Sequence, residues 1–585
     1  MSAAFTNQQI AAVISEIAAM LDIEGENPFK VRAYERAAQV IASLSQELSA
    51  LRQRGALQQT PGIGAGIAAK IEEMLDKGAC DLYEELKQKI PPGVLGMMRI
   101  PDVGPKTVGV LYHQLGIDSI DALEHAAREG RLRAVKGFGP KTEENLLKGI
   151  ERLRQRAGRF SLADAYPHAL GIIEALKKAC PIDQIEAAGS LRRFRETVGD
   201  IDILVTSNDP KAVMETFTSL PVVREVIAKG DTKSSVLTDL GIQVDVRVVD
   251  PSEFGAALQY FTGSKAHNIK LRELAVKRGL KLSEYGVFRV KGNRRIGGAT
   301  EEEMYAALGL PVIPIEMRED LGEVELALQG KLPSLVELSD MKGDLQAHTT
   351  ESDGHNTLEE MAHAAKKCGY QYLLITDHSR SSAYAGGLTE QRLTKQMQQI
   401  KALNRKLKGM TVLAGTEVDI KPDGSLDFPD SLLAQLDFVV ASAHSGFKMD
   451  SAAMTKRMIA AMQNPYVDVL GHPTGRLIGQ RDPYEVDVEA ILVEAARLGV
   501  AAELNAQPQR LDLNDVHCRR ARELGVLVSI ATDAHGTDQL DFMHYGVATA
   551  RRAWLEPKHV LNARPLDKLL SWRKARIARR LKSRA

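Results

Sequence analysis

Gly199-Asp200-Ile201-Asp202-Ile203-Leu204-Val205 alternates polar and apolar residues at period two, so it reads as a strand with Asp200 and Asp202 on one face. A second such run, Ile242-Gln243-Val244-Asp245-Val246-Arg247, carries Asp245, and Gly189-Ser190 lies upstream with Arg192, Arg193 and Arg195. Neighbouring strands of one sheet bring three carboxylates close enough to hold two divalent cations about 3.5–4 Å apart, one activating an attacking hydroxyl and both stabilising the leaving oxygens. Hard oxygen ligands suit Mg²⁺ or Mn²⁺. The Gly-Ser turn offers amide N–H groups and a hydroxyl to phosphate oxygens, with the arginines as charge partners. Asp-x-Asp alone more often marks an exposed strand face; the turn and the third aspartate shift the reading to nucleotidyl transfer.

Downstream, Tyr260-Phe261-Thr262-Gly263-Ser264, followed by Asn268 and Arg272, resembles the sugar- and base-contacting segment of the family X (DNA polymerase beta-like) DNA polymerases. The resemblance implies a nucleotidyltransferase palm at 158–258 and a thumb at 259–320. It also implies that Asp200, Asp202 and Asp245 are catalytic and bind metal, that Gly189, Ser190 and Arg193 hold the triphosphate, and that Tyr260, Phe261, Gly263 and Asn268 contact the nucleotide.

The chain before this segment reads as helical. Ile10 to Leu21 and Val31 to Leu44 have amphipathic spacing. Three short repeats, Thr60-Pro61-Gly62-Ile63-Gly64, Ile100-Pro101-Asp102-Val103-Gly104 and Val135-Lys136-Gly137-Phe138-Gly139, each precede a helix-forming stretch. They resemble helix-hairpin-helix motifs, in which amides at a helix N-terminus bind a DNA phosphate without reading sequence. Gly62, Gly64, Gly104, Gly137 and Gly139, with Lys106 and Lys141, are the expected backbone contacts, and residues 91 to 160 hold twelve Lys/Arg against eight Asp/Glu. Residues 1–90 resemble the small domain that grips the 5′ side of a gap, with Lys30, Tyr34 and Lys70 at matching positions, and residues 91–157 the fingers. In the resembling proteins a lysine at the place of Lys70 forms a Schiff base, but Gly66 stands where a further lysine occurs there, and Lys70 reads as a phosphate-binding lysine.

A second enzyme begins after a proline-punctuated linker at 321–340. Gly343 to His348, Ser352-Asp353-Gly354, Ile375 to His378, Gly415-Thr416-Glu417, Ala441 to His444, Leu470 to Pro473 and Ala531 to His535 are apolar runs or turns ending in His, Asp or Glu, as on the C-terminal rim of a (β/α) barrel. Mixed imidazole and carboxylate ligands suit zinc, manganese or iron. Order and local sequence resemble the PHP (polymerase and histidinol phosphatase) domain across 341–575, a distorted (β/α)7-type barrel. That resemblance implies His348, Asp353, His378, Glu417, His444, His472, Asp533 and His535 as ligands, Asn505 and Arg510 toward the substrate phosphate, and Zn²⁺ or Mn²⁺, two or three ions, as cofactor. Gln346 replaces the first histidine of the wider family's His-x-His motif, so fewer than three tightly held ions are expected. His355, His363, His517 and His544 fall outside the motif positions and read as surface or structural.

The full chain of 585 residues carries 76 Lys/Arg and 76 Asp/Glu, so a nucleic-acid surface must be local. Four isolated cysteines fit reduced, structural thiols. The absence of an apolar run near the ~18 residues of a membrane helix, and of a signal peptide, places the protein in the cytoplasm without a membrane partner. Residues 576–585 read as a basic tail. The expectation is a monomeric multidomain α+β and α/β enzyme: a family X polymerase filling gapped or nicked DNA from dNTPs in base excision repair. Its PHP domain would be a 3′–5′ exonuclease and 3′-end processor, with incision at abasic sites among the activities the resemblance allows. A nucleotidyltransferase for RNA or small molecules is disfavoured by the hairpins and the Tyr260-Phe261 segment, and an inert DNA-binding scaffold by the complete carboxylate sets.

Overall fold

Apolar residues at helical spacing organise the amino-terminal unit of the computed structural model, which describes residues 5, 7–44, 46–100, 103–135, 138–155 and 159–582. The chain divides into two units, Met1–Arg159 and Phe160–Ala585. In the first, helix Asn7–Ile23 buries Ile10, Ile14, Ile17 and Leu21 against Val31, Ala38 and Ile41 of helix Pro28–Ser43. The second helix starts where the Asn27 side chain accepts the Phe29 N–H and Pro28 takes the first turn.

All three hairpins close with the same bond. The amide of Ile63 donates to Thr60 at 3.0 Å, that of Val103 to Ile100 at 3.1 Å and that of Phe138 to Val135 at 3.1 Å. Helices Ala65–Lys77, Pro105–Leu115 and Pro140–Gln155 follow. Gly62 is required: its φ is +94°, and a Cβ there would lie 2.9 Å from Val40 Cγ2. Gly137, with Pro101, Asp102 and Lys136, lies outside the described residues.

The second unit contains three sheets that matter to function. A five-stranded sheet runs in the order Gln184–Ala187, Asp200–Thr206, Gln243–Val248, Lys233–Thr238, Val223–Lys229. Ile201, Ile203, Val205, Val244 and Val246 face helices Leu162–Ala179 and Pro210–Thr218 in one core, which leaves the aspartates on the other face. An antiparallel sheet of Leu280–Ser283, Gly286–Arg289 and Arg295–Gly297 follows. The stretch expected as a linker packs against it: helix Glu323–Leu328 adds Val324 and Ala327 to the core of Met304 and Tyr305, and the buried Glu323 lies 2.6 Å from His267 Nδ1.

Seven parallel strands then run side by side in chain order: Gly343–Ala347, Tyr372–Ile375, Thr411–Asp419, Phe438–Ser442, Val469–Leu470, Ala501–Asn505 and Val528–Ala531. The His348 amide donates to Ala534 at 2.8 Å, and the buried Asn562 side chain bonds Gly343 and Ile530, so the first strand meets the last in a nearly closed barrel. Burial on both faces explains why these strands read as apolar runs. The sequence expected as the start of a free basic tail instead ends helix Leu566–Lys582, where Arg573 and Arg576 reach the fully buried Asp468. Palm and barrel share packing: Leu511 and Tyr545 enter the palm core, Trp554 the thumb core, and Arg476 pairs with Glu196 at 2.7 Å. Among the described residues no helix is long and apolar enough to cross a membrane.

Two candidate metal centres

Asp200–Thr206 and Gln243–Val248 pair in parallel with Asp202 opposite Asp245, and Asp200 shares the face of Asp202 two residues away. Gly189 sits against this cluster at φ +66°; a Cβ would lie 3.2 Å from Asp202 Oδ2, so the turn needs its glycine. Burial, reinforced by the charges of Asp200 and Asp245, pushes Asp202 up to about 7. Three carboxylates share this face and one resists ionisation, a set that divalent cations would relieve of its repulsion, although among the described residues their oxygens do not gather within 4.8 Å as those of the barrel do. Lys233, on the strand beside Asp245, places its Nζ 3.4 Å from Asp245 Oδ2. Sequence reasoning missed it, because strand order within the sheet is not written in the local pattern.

The nucleotide-side residues are less open than expected. Tyr260 and Phe261 end helix Phe254–Thr262 edge-to-face, 5.2 Å apart, and Arg247 stacks on Phe261. Asn268 is buried, its amide spent on the Tyr260 carbonyl at 2.7 Å and on Gln259 at 2.7 Å. It shapes the Tyr260 turn in this state rather than facing solvent. Arg193 is only 12% exposed, bonded to Glu319 at 3.0 Å and to the Thr262 carbonyl. In the amino-terminal unit Lys106 and Lys141 are exposed, Lys30 pairs with Glu26, and Tyr34 is buried in the core. Lys70 bonds Glu73 at 3.0 Å, which raises its pKa despite an opposing burial effect.

On the barrel, the eight residues marked at strand ends converge. Ligand atoms of His348, Asp353, His378 and His535, of His378, Glu417 and His444, and of His348, Glu417 and Asp533 each lie within 4.8 Å of one another. His472 Nε2 lies 2.9 Å from Glu417 Oε1 and 3.3 Å from His444 Nε2. Two imidazole nitrogens facing each other across one carboxylate oxygen need a proton or a cation between them, so the donor set fits metal ions. Burial works to raise Glu417, but the charges of His444 and His378 and the hydrogen bonds of His444 and His472 outweigh it and hold the carboxyl well below its usual range. Burial also opposes the charging of His535, yet the Asp353 hydrogen bond and the Asp533 charge carry it up to about 9. Glu503 goes the other way: burial, with Asp533 nearby, pushes it well up, and its oxygen accepts the His472 amide at 2.5 Å.

Gln346 is fully buried with its Nε2 3.3 Å from Asp533 Oδ1. Asn505 donates to Asp533 Oδ2 at 3.0 Å, and Arg510 Nε lies 4.0 Å from the same atom, with its Nη1 buried and unpartnered among the described residues. Sequence reasoning missed Asp419, whose Oδ1 is 3.0 Å from His444 Nδ1 and orients that ring. The signal was present, since Asp419 follows Glu417 by two on one strand face. Tyr384, 75% exposed with its ring 6.5 Å from that of His378, stands on the rim without any motif to mark it.

Comparison with known families agrees with this layout. The family models described as DNA polymerase beta palm and DNA polymerase beta thumb match residues 164–263 and 257–319. A helix-hairpin-helix domain matches 5–80, a SAM-like helix-hairpin-helix tandem 94–152, and a PHP domain 344–506. The DNA polymerase/3′-5′ exonuclease PolX of Bacillus subtilis (strain 168) is 41% identical across 96% of this chain and 98% of its own. DNA polymerase lambda of Rattus norvegicus is 25% identical over 52% of this chain and 55% of its own, and a probable phosphatase of Thermoanaerobacter sp. (strain X514) is 32% identical over 38% and 91%. With palm, thumb, hairpins and most of the barrel matched, and one relative aligned nearly end to end, the chain belongs to the family X DNA polymerases that carry a PHP domain.

Proposed function

We propose that this protein fills short gaps in DNA from deoxynucleoside triphosphates at the palm and removes nucleotides from DNA 3′ ends at the barrel rim. The supporting observation is that one chain holds two separate ligand sets, Asp200, Asp202 and Asp245 on a mixed sheet and the Glu417-centred cluster on a parallel barrel. Mg²⁺ or Mn²⁺ at the first and Zn²⁺ or Mn²⁺ at the second would supply charge stabilisation at phosphorus and nucleophile activation. In the palm, the Gly189-Ser190 turn would set the triphosphate against the aspartates, and Tyr260 and Phe261 would border the sugar. On the rim, Arg510 and Asn505 would face the phosphate, and Asp419 would hold the His444 tautomer. The hairpin amides with Lys106 and Lys141 would hold the DNA backbone.

Mutation tests the two-site reading on a one-nucleotide gap and on a plain 3′-ended strand. Asp200→Ala with Asp202→Ala is expected to lower insertion at least about a thousandfold and to spare 3′ degradation, since metal-supported charge stabilisation is worth several kcal/mol. Glu417→Ala or His472→Ala is expected to do the reverse. Loss of both activities in the folded aspartate double variant would assign degradation to the palm and end this reading.

A further inference from the structure

The turn that carries Ser190 and Arg193 is braced from the barrel. Arg552, at the end of helix Met543–Arg552 and 5% exposed, donates to the Arg193 carbonyl at 2.9 Å and reaches Glu319 Oε1 at 3.0 Å. Its remaining nitrogens meet Asp515 at 2.8 and 2.9 Å. The same Glu319 oxygen accepts Arg193 Nε at 3.0 Å and lies 4.0 Å from Arg195. One largely buried carboxylate oxygen is thus shared between the palm's arginines and an arginine of the barrel. In such a site charges are poorly screened, so removing one partner strengthens the hold on the others.

We propose that Arg552 is a positioning residue for the polymerase: by taking part of the Glu319 charge, it leaves Arg193 able to exchange that carboxylate for the triphosphate of an incoming nucleotide. Without Arg552, Glu319 grips Arg193 more strongly, and the triphosphate competes with an undivided anion for the same guanidinium. The barrel therefore sets nucleotide affinity at a site whose chemistry it does not perform. This inference rests on the reading of Arg193 as a triphosphate partner.

Single-nucleotide insertion by the full chain on a one-nucleotide gap, titrated with dNTP, tests it with Arg193→Ala, Arg552→Ala, Glu319→Gln and the Arg552→Ala/Glu319→Gln double variant. Arg552→Ala is expected to raise the dNTP KM about tenfold, within the ~5–150-fold range of couplings between sites, with kcat within about twofold and 3′ degradation unchanged. Glu319→Gln is expected to lower KM, and the double variant to match Glu319→Gln rather than Arg552→Ala, because Arg552 acts only through Glu319. A merely structural role would shift KM in the same direction in both single variants and would not be rescued in the double. That pattern, an unchanged KM in Arg552→Ala, or a joint fall of kcat and nuclease activity, overturns the inference. If Arg552→Ala does not fold, Arg552→Gln, neutral and nearer in size, takes its place, a raised KM supporting the relay and an unchanged one overturning it. An unchanged KM in Arg193→Ala removes the reading of Arg193 itself, whereas a raised KM there with none in Arg552→Ala removes only the relay.

Discussion

Asp202 carries the most informative charge in the palm, because its folded pKa of about 7 stands well above the ~3.9 of an unfolded chain. At this group the metal-free folded state therefore binds more protons than the unfolded state between roughly pH 4 and 7, and the contribution of Asp202 to stability falls as pH rises through that window. A metal must displace this proton, so apparent Mg²⁺ affinity is expected to fall up to about tenfold per unit below pH 7. Mg²⁺ titrations of nucleotide insertion near pH 6 and pH 8 with equal midpoints would refute it. Lys70 gives a prediction of opposite character. A Schiff-base nucleophile must be neutral, yet the Glu73 hydrogen bond raises this amine's pKa. Borohydride is expected to trap no Lys70-dependent adduct on an incised abasic site, and an adduct lost in Lys70→Ala would show the contrary. The placement of the palm aspartates and of most rim residues was legible because each ends or alternates with a short apolar run, whereas Asp353 sits in a turn. The occupied states of Arg193 and Asn268 were not, since their partners Glu319 and Tyr260 are set by tertiary packing.

Elements were legible where a local rule decides them. The hairpins follow from glycine beside a helix start, and all three close with the same turn bond. Helix Leu566–Lys582 was read as a basic tail from residue 576 because its arginines look like a solvated face, while their acid lies more than a hundred residues away in sequence. Asp468 is fully buried and held by Arg573 and Arg576. Removing both partners leaves a buried charge uncompensated, so the Arg573→Ala/Arg576→Ala double variant is expected to cost about 3–5 kcal/mol in denaturant unfolding, and either single variant less. A loss below about 1 kcal/mol in the double variant would mean that the Val439 amide, which donates to Asp468 at 2.9 Å, suffices for it. Within the stretch read as a linker, Glu323 looks like a surface residue until His267 is placed against it.

At the scale of the whole molecule, packing divides the chain once, at residue 159, beside the boundary read between fingers and palm and not between the two chemistries. Palm, thumb and barrel share cores through Leu511, Tyr545 and Trp554 and are tied by Arg476–Glu196 at 2.7 Å and Arg551–Glu316 at 2.7 Å. Arg476, Arg551 and Arg552 carry no periodic signature, which is why this joint could not be read from the sequence. Two consequences pull apart. Ligand substitutions act within one site, because neither donor set borrows a residue from the other. Heat acts on the unit, because opening the joint exposes apolar surface from both sides and strips partners from buried charges, which makes separate melting of palm and barrel unfavourable. Insertion and 3′ degradation by the full chain, assayed after brief heating with both metals present, are therefore expected to decay with one midpoint. Arg476→Ala, which leaves Glu196 without this partner at the joint, is expected to lower both midpoints together. Polymerase activity that disappears while degradation persists through a further ten degrees or so would show that the palm melts on its own, and the joint would then be a contact between independent domains rather than a shared core.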